Sequence, residues 1–254
     1  MDFPDFNLQG KKALVTGGSS GIGYHAALSM ANAGCEVLIT GRNRQALEEA
    51  ASEMRRMGVE SHFLVADLAD TQAAIRIARE ADKILRGVDI LVNNAGITFP
   101  EPAVKTTVEH WNTTLAVNLT APMFISQQIA PGMIERRYGK IIMIGSVGGI
   151  VSVADHAAYS SSKGGLVLLT KVLAIEWAKY NINVNLIAPA VILTPMGEKV
   201  WGAPEKRDPM IAKTPQGRFG IPRDVSGVIL FLASPASDYI NGETIAVDGA
   251  YLAQ

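Results

Sequence analysis

The sequence is poor in several things at once. It has a single cysteine, Cys35, so no disulfide can close within the chain. That residue reads as a small buried hydrophobe, and a reducing, cytoplasmic compartment is the natural expectation. Charge imbalance is almost nil: 23 Lys and Arg against 24 Asp and Glu leave a net charge of -1. Nothing in that balance suggests nucleic acid or an anionic membrane as partner. No apolar run reaches the ~18 residues a membrane span needs. The start, Met1-Asp2-Phe3-Pro4-Asp5, is acidic and reads as no signal peptide. The four histidines, His25, His62, His110 and His156, show no metal-ligand spacing, so no metal is expected.

What is abundant is apolar: 48% of 254 residues, enough for a large core. Short apolar strands alternate with helical patterns over the whole length. Strands are expected at 12–16, 36–40, 62–66, 90–92, 140–144, 183–187 and 244–247. Helices are expected at 24–33, 43–57, 71–86, 107–137, 156–179 and 222–233, with an irregular stretch at 195–217. This alternation predicts an α/β fold, a doubly wound Rossmann-type parallel sheet of about seven strands with helices on both faces. No composition break divides it, so 1–254 reads as one domain. In such sheets ligands bind beyond the carboxyl ends of the strands. Gly17, Asp67, Asn93, Ser146 and Pro189 fall just past predicted strand ends and should line one crevice.

The turn Gly17-Gly18-Ser19-Ser20-Gly21-Ile22-Gly23 sits between the first strand and the first helix, the setting in which glycines bring backbone close to a dinucleotide phosphate. At the end of the second strand, where NAD-binding versions carry an acid for the ribose hydroxyls, the sequence reads Thr40-Gly41-Arg42-Asn43-Arg44. Arg42 could meet a 2′-phosphate there, which favours NADP(H) over NAD(H). Asp67 comes within reach of the adenine, or else caps the next helix. Tyr159 and Lys163, four apart, would share one helix face. An ammonium beside a phenol should lower its pKa and ready it for acid–base work. Ser146 could bond the substrate oxygen.

Together these motifs resemble the short-chain dehydrogenase/reductase family. Thr16-Gly-Gly-Ser-Ser-Gly-Ile-Gly23 looks like its cofactor loop and Asn93-Asn-Ala-Gly96 like its turn after the fourth strand. Asn118, Ser146, Tyr159 and Lys163 fall where its catalytic tetrad falls. The resemblance implies hydride transfer between a nicotinamide and a carbonyl or secondary alcohol. Tyr159 would be the proton donor or acceptor, Ser146 the polariser and Lys163 the ribose holder, with Asn118 anchoring a water. The cofactor would also meet Gly17, Ser19, Ser20, Gly21, Ile22, Gly23, Asp67, Leu68, Asn94, Ala95, Gly96, Pro189, Val191 and Thr194. Pro189-Ala190 departs from the family's usual Pro-Gly. The substrate pocket is expected around Ser146, Gly148, His156, Tyr159, Ile192 and Trp201, with Trp201 equally readable as an oligomer contact and 195–217 as a lid. The setting of Val200-Trp201 and residues 215–219 resembles sugar- and polyol-acting members. A 3-oxoacyl-thioester reductase is the close competitor, and a non-enzymatic nucleotide sensor is the reading from another class. Members associate through the elements at 107–137 and 156–179, so a homodimer or homotetramer is expected.

Overall fold

The computed structural model describes residues 5–254. Of the acidic start read as no signal peptide, residues 1–4 therefore lie outside the described residues. The chain runs β1 (Lys12–Thr16), α1 (Gly21–Asn32), β2 (Glu36–Gly41), α2 (Arg44–Arg56), β3 (Ser61–Val65), α3 (Thr71–Leu85) and β4 (Ile90–Asn93). It continues through α4 (Val108–Leu115), α5 (Ala121–Arg136), β5 (Gly139–Ile144), α6 (Ala157–Trp177) and β6 (Ile182–Pro189). Then follow α7 (Pro195–Trp201), α8 (Pro204–Ala212), α9 (Pro222–Ala233) and β7 (Thr244–Val247). Among the described residues the seven strands form one sheet in the order β3-β2-β1-β4-β5-β6-β7, and every pairing is parallel.

The central strands are apolar on both sides because both faces are covered. On one face Leu14, Leu38, Leu91, Ile141 and Leu186 pack against α3, α5 and α6. On the other, Val15, Ile39, Val92, Ile142 and Ile187 pack against α1, α2 and α9. The chain leaves β1 toward β2 and β3, then crosses back so that β4 lies on β1's other side. This reversal opens a crevice at the carboxyl ends of β1 and β4.

Two expectations are corrected. The stretch 107–137 is not one α-helix: a π-helical segment, Ala116–Thr120, separates α4 from α5, and Asn118 sits inside it. Such bulges free a backbone turn and recur at functional sites. The stretch 195–217 is not irregular, since it holds α7 and α8. Their prolines, Pro195 and Pro204, occupy the first turn, where the missing N–H costs nothing. The outer faces of α4 and α6 carry apolar side chains. Val108 on α4 and Leu168, Val172 and Ile175 on α6 are large, apolar and exposed. No helix among the described residues is long and apolar enough to cross a membrane.

Candidate active site

The crevice is built first from a staple between β1 and β4. The Asn94 amide donates to the carbonyls of Thr16 (2.8 Å) and Gly17 (3.1 Å). The Thr16 hydroxyl accepts from the N–H groups of Asn94 and Ala95, both at 3.0 Å. A side chain on Gly23 would strike the Gly17 carbonyl and the Asn94 amide, so only glycine fits there. Gly21 holds φ +56° and lies against Thr194, bringing the start of α7 onto the start of α1. The backbone amides that open α1 have no side-chain cap: Ser20 is extended and bonds none of them. By contrast Asn43, Asp70 and Thr107 cap α2, α3 and α4. The cradle at Gly17–Gly23 therefore fits a dinucleotide phosphate, by close backbone approach and by free donors at a helix start.

Beside the cradle, Ser19 turns its hydroxyl toward Gly41 at the end of β2. The next residue, Arg42, is exposed and makes no ion pair or hydrogen bond among the described residues. Arg44 is committed, its guanidinium lying 5.8 Å from the centroid of the Phe63 ring. Asp67 is exposed at the end of β3 and accepts from the Ala69 N–H at 3.0 Å. It does not cap α3, a role taken by Asp70. Leu68 is part of the core beneath it. Asn93, expected in the crevice, is a correction: it is buried, and its amide donates to Ser126 at 3.1 Å. As the last residue of β4 its side chain follows the strand's alternation into the core.

The four residues of the candidate catalytic group converge from different elements. Ser146 follows β5, and its hydroxyl accepts from the Gly148 N–H at 3.0 Å. It also stands close enough to the Tyr159 phenol to pull that group's pKa down. Lys163, one turn along α6, is 3% exposed and donates through Nζ to the Ile144 carbonyl at 2.7 Å. Its Nζ lies 5.8 Å from the centroid of the Tyr159 ring. Asn118 is fully buried in the π-helical segment, where it accepts from the Ile97 N–H (2.9 Å) and donates to the Ile97 carbonyl (3.0 Å). It also donates to Ser162 at 3.1 Å, and Ser162 donates to the Tyr159 carbonyl at 2.6 Å. Gly96 closes the group: a side chain there would come up against both Asn118 Oδ1 and Lys163 Nζ. Ser162 went unnoticed in the sequence, hidden in a run of three serines.

The electrostatics correct one expectation. Burial pushes the Tyr159 phenol up, and only the nearby Ser146 hydroxyl pulls the other way. Burial also pushes Lys163 down, to about 8. The reason is that both groups are taken out of water, which disfavours phenolate and ammonium alike. Lys163 is turned to a backbone carbonyl rather than to the phenol oxygen, so it does not offset that cost.

The substrate side is aromatic. The His156 ring meets Tyr159 edge-on at 6.1 Å and stacks on Trp201 at 5.9 Å with 4° between planes. Its Nδ1 donates to the Ala154 carbonyl at 2.8 Å, leaving Nε2 free to accept. Trp201, left open between pocket wall and oligomer contact, is held against His156 by this stack. Gly148 donates its N–H to Ser146, and a side chain there would meet both Ser146 and Tyr159. Ile192 does not face the pocket. It is 5% exposed and belongs to the core with Val225 and Ile229, because its backbone bridges to Gly220 and turns the side chain inward. Pro189 is buried at the end of β6, and Val191 is half-buried just beyond it. Thr194 caps α7, accepting from the Gly197 N–H at 3.1 Å. Among the described residues no cluster of His, Cys, Asp and Glu could hold a metal.

Comparison with known proteins agrees with this geometry. A family model described as enoyl-(acyl carrier protein) reductase matches residues 17–251. The chain is 38% identical over 250 residues to 2-dehydro-3-deoxy-D-gluconate 5-dehydrogenase of Dickeya dadantii, covering 98% of each. It is 38% identical to D-threitol dehydrogenase of Mycolicibacterium smegmatis, covering 99% of this chain and 96% of that one. A crystal structure of gluconate 5-dehydrogenase from Burkholderia cenocepacia, in complex with NADP and tartrate, superposes with a TM-score of 0.93 at 34% identity over 98% of both chains. On this sequence match and this shared fold, the chain belongs to the short-chain dehydrogenase/reductase family.

Proposed function

We propose that the chain is an NADP(H)-dependent oxidoreductase, one domain over 1–254, that reduces a small polar ketone such as a keto-sugar, or oxidises the corresponding polyol. The observation that carries this is the convergence of the Ser146 hydroxyl and the Tyr159 phenol with an imidazole, His156, whose ring meets the Tyr159 ring edge-on and whose Nδ1 is already taken by the Ala154 carbonyl. One oxygen of a substrate can meet the phenol while a neighbouring hydroxyl donates to the imidazole, which suits a polyhydroxylated molecule. Relatives named for gluconate derivatives and threitol support the same substrate class.

When bound, the nicotinamide supplies or takes up hydride at C4. The residues of this chain handle position and proton. Ser146 fixes the substrate oxygen against the phenol. Tyr159 gives its proton to that oxygen in reduction and takes it back in oxidation. Lys163, held by the Ile144 carbonyl, presents Nζ next to Gly96, where the nicotinamide ribose hydroxyls would lie. Asn118 and Ser162 fix the backbone on which Tyr159 stands. Gly17–Gly23 and the start of α1 would hold the pyrophosphate, with Asn94, Ala95, Asp67 and Leu68 about the adenosine and Pro189, Val191 and Thr194 about the nicotinamide.

Arg42 decides between the two dinucleotides. A guanidinium on a 2′-phosphate forms charge-assisted hydrogen bonds worth about 1.5–3 kcal/mol. Arg42→Ala should therefore weaken NADPH binding by about 10- to 100-fold and leave NADH binding within about twofold, read by quenching of nicotinamide fluorescence. Equal loss for both would remove Arg42 from the 2′ site. The substrate is tested by NADPH oxidation with a panel of ketoses and keto-aldonates against an acetoacetyl thioester. Preference for the thioester would replace the sugar reading.

The exposed apolar side chains of α4 and α6 support self-association through these helices into a dimer or tetramer. Leu168→Glu combined with Ile175→Glu should lower the mass found by light scattering to that of a monomer. An unchanged mass would place the contact elsewhere. The lone thiol, buried and pushed up by burial, supports a reducing, cytoplasmic setting.

A further inference from the structure

The loop after β4 carries an acid that lies outside the catalytic group yet is wired to the pocket. The Glu101 carboxylate meets His110 Nδ1 with its two oxygens at 3.0 and 3.2 Å. Phe99, two residues earlier, lies flat on the same imidazole, 4.2 Å between centroids and 4° between planes. His110 is in turn anchored in the first turn of α4, its N–H donated to the Thr107 hydroxyl at 3.1 Å. One ring of α4 thus grips the loop at two side chains. The backbone of Glu101 makes the second connection. Its N–H donates to the Asp155 carbonyl at 2.8 Å, and it forms a parallel bridge with His156. Asp155 holds φ +64°, a conformation that costs a non-glycine residue free energy and persists only where its surroundings impose it. The residue so placed, His156, is the imidazole that meets Tyr159 and Trp201.

We propose that Glu101 and His110 are positioning residues: clamped to each other, they fix the 99–101 loop, which through its backbone fixes His156 and so sets the affinity for the polyhydroxylated substrate. This deepens the ketose reading and rests on it. The pair touches neither the candidate proton donor nor the cofactor cradle, so its effect should fall on substrate affinity rather than on the proton step.

The test is a double-mutant cycle in the full-length enzyme with its best ketose substrate. Glu101→Gln should raise KM about fivefold or more, with kcat within twofold and NADPH affinity unchanged. His156→Ala should raise KM by more. Glu101→Gln added to His156→Ala should then raise KM no further, since the acid acts only through the imidazole. Additive losses, or a fall in kcat equal to the rise in KM, would overturn the proposal and leave Glu101 as a general stabiliser of the loop. A second readout needs no substrate. In the ring resonances of the four histidines, Glu101→Gln should shift His156 as well as His110 and leave His25 and His62 in place. If no ketose is turned over by the parent enzyme, the substrate reading fails, while the resonances still decide whether Glu101 holds His156. A His156 signal that ignores the change at Glu101 overturns the coupling whatever the substrate.

Discussion

Tyr159→Phe is expected to fold, to bind NADPH with parental affinity, and to reduce its ketone substrate about 10²- to 10⁴-fold more slowly. The ring stays, so its edge-on contact with His156 stays, and the loss is confined to one hydroxyl. Without that hydroxyl the developing alkoxide has to take its proton from water. The direction in which burial pushes the phenol adds a pH dependence. A phenol held above its ordinary value is protonated throughout the neutral range, which suits reduction. Oxidation needs the phenolate, so the oxidative rate of the parent should climb with pH on the alkaline side while the reductive rate falls there. Thermal denaturation, fluorescence titration of NADPH and steady-state rates in both directions check the three parts. Near-parental turnover in the variant would take the proton step away from Tyr159.

Much of this crevice could be read from the sequence because its parts obey local rules. A buried strand, a glycine turn and a helix are neighbours in the chain, so Gly17–Gly23 declares itself. The four-residue step from Tyr159 to Lys163 is a property of any helix. Asn118 was picked out by its place in the family's tetrad, while nothing in the 107–137 pattern announced the π-helical segment it occupies. What was not legible depends on contacts between distant segments. Ile192 looked like a pocket residue until its bridge to Gly220 turned it into the core. Asn93 and Asn94 are adjacent and chemically alike, yet one meets Ser126 inside the fold and the other staples two strand ends. The prolines at 195 and 204 read as breakers because nothing local says whether a proline ends a helix or begins one. Glu101 carried no motif at all. It matters only because folding brings it beside His110, nine residues on, and Asp155, more than fifty residues on. The phenol's pKa was misjudged for a related reason, since spacing places the lysine one turn away but does not say which oxygen its Nζ will meet.

Lys163→Met is expected to separate stability from activity, and to do so in a pH-dependent way. The lysine is 3% exposed, and burial pushes its ammonium from 10.5 to about 8. Below about pH 8 the group is charged in both the folded and unfolded chain, and the folded state carries the full cost of a dry ammonium. Between about 8 and 10.5 the unfolded chain still binds the proton and the folded chain does not. Stability from this site therefore rises with pH across that window and is level above it. The size of the effect follows from the shift, about 3 kcal/mol. Methionine has a stem of similar length and no charge, so the variant lacks the rise. It also leaves the Ile144 carbonyl without its partner, at a cost of about 1–3 kcal/mol that does not vary with pH. At pH 7 the two terms nearly cancel, and the variant should match or exceed the parent. At pH 10.5 only the second remains, and the parent should be the more stable. Urea unfolding at half-unit steps from pH 7 to 10.5 measures the difference directly, because groups shared by both proteins cancel. Parallel curves would mean that Lys163 titrates in the folded enzyme as it does in water. The same variant should lose turnover by orders of magnitude and bind NADPH more weakly. A residue that costs stability at working pH and is indispensable to turnover is kept for the reaction, not for the fold.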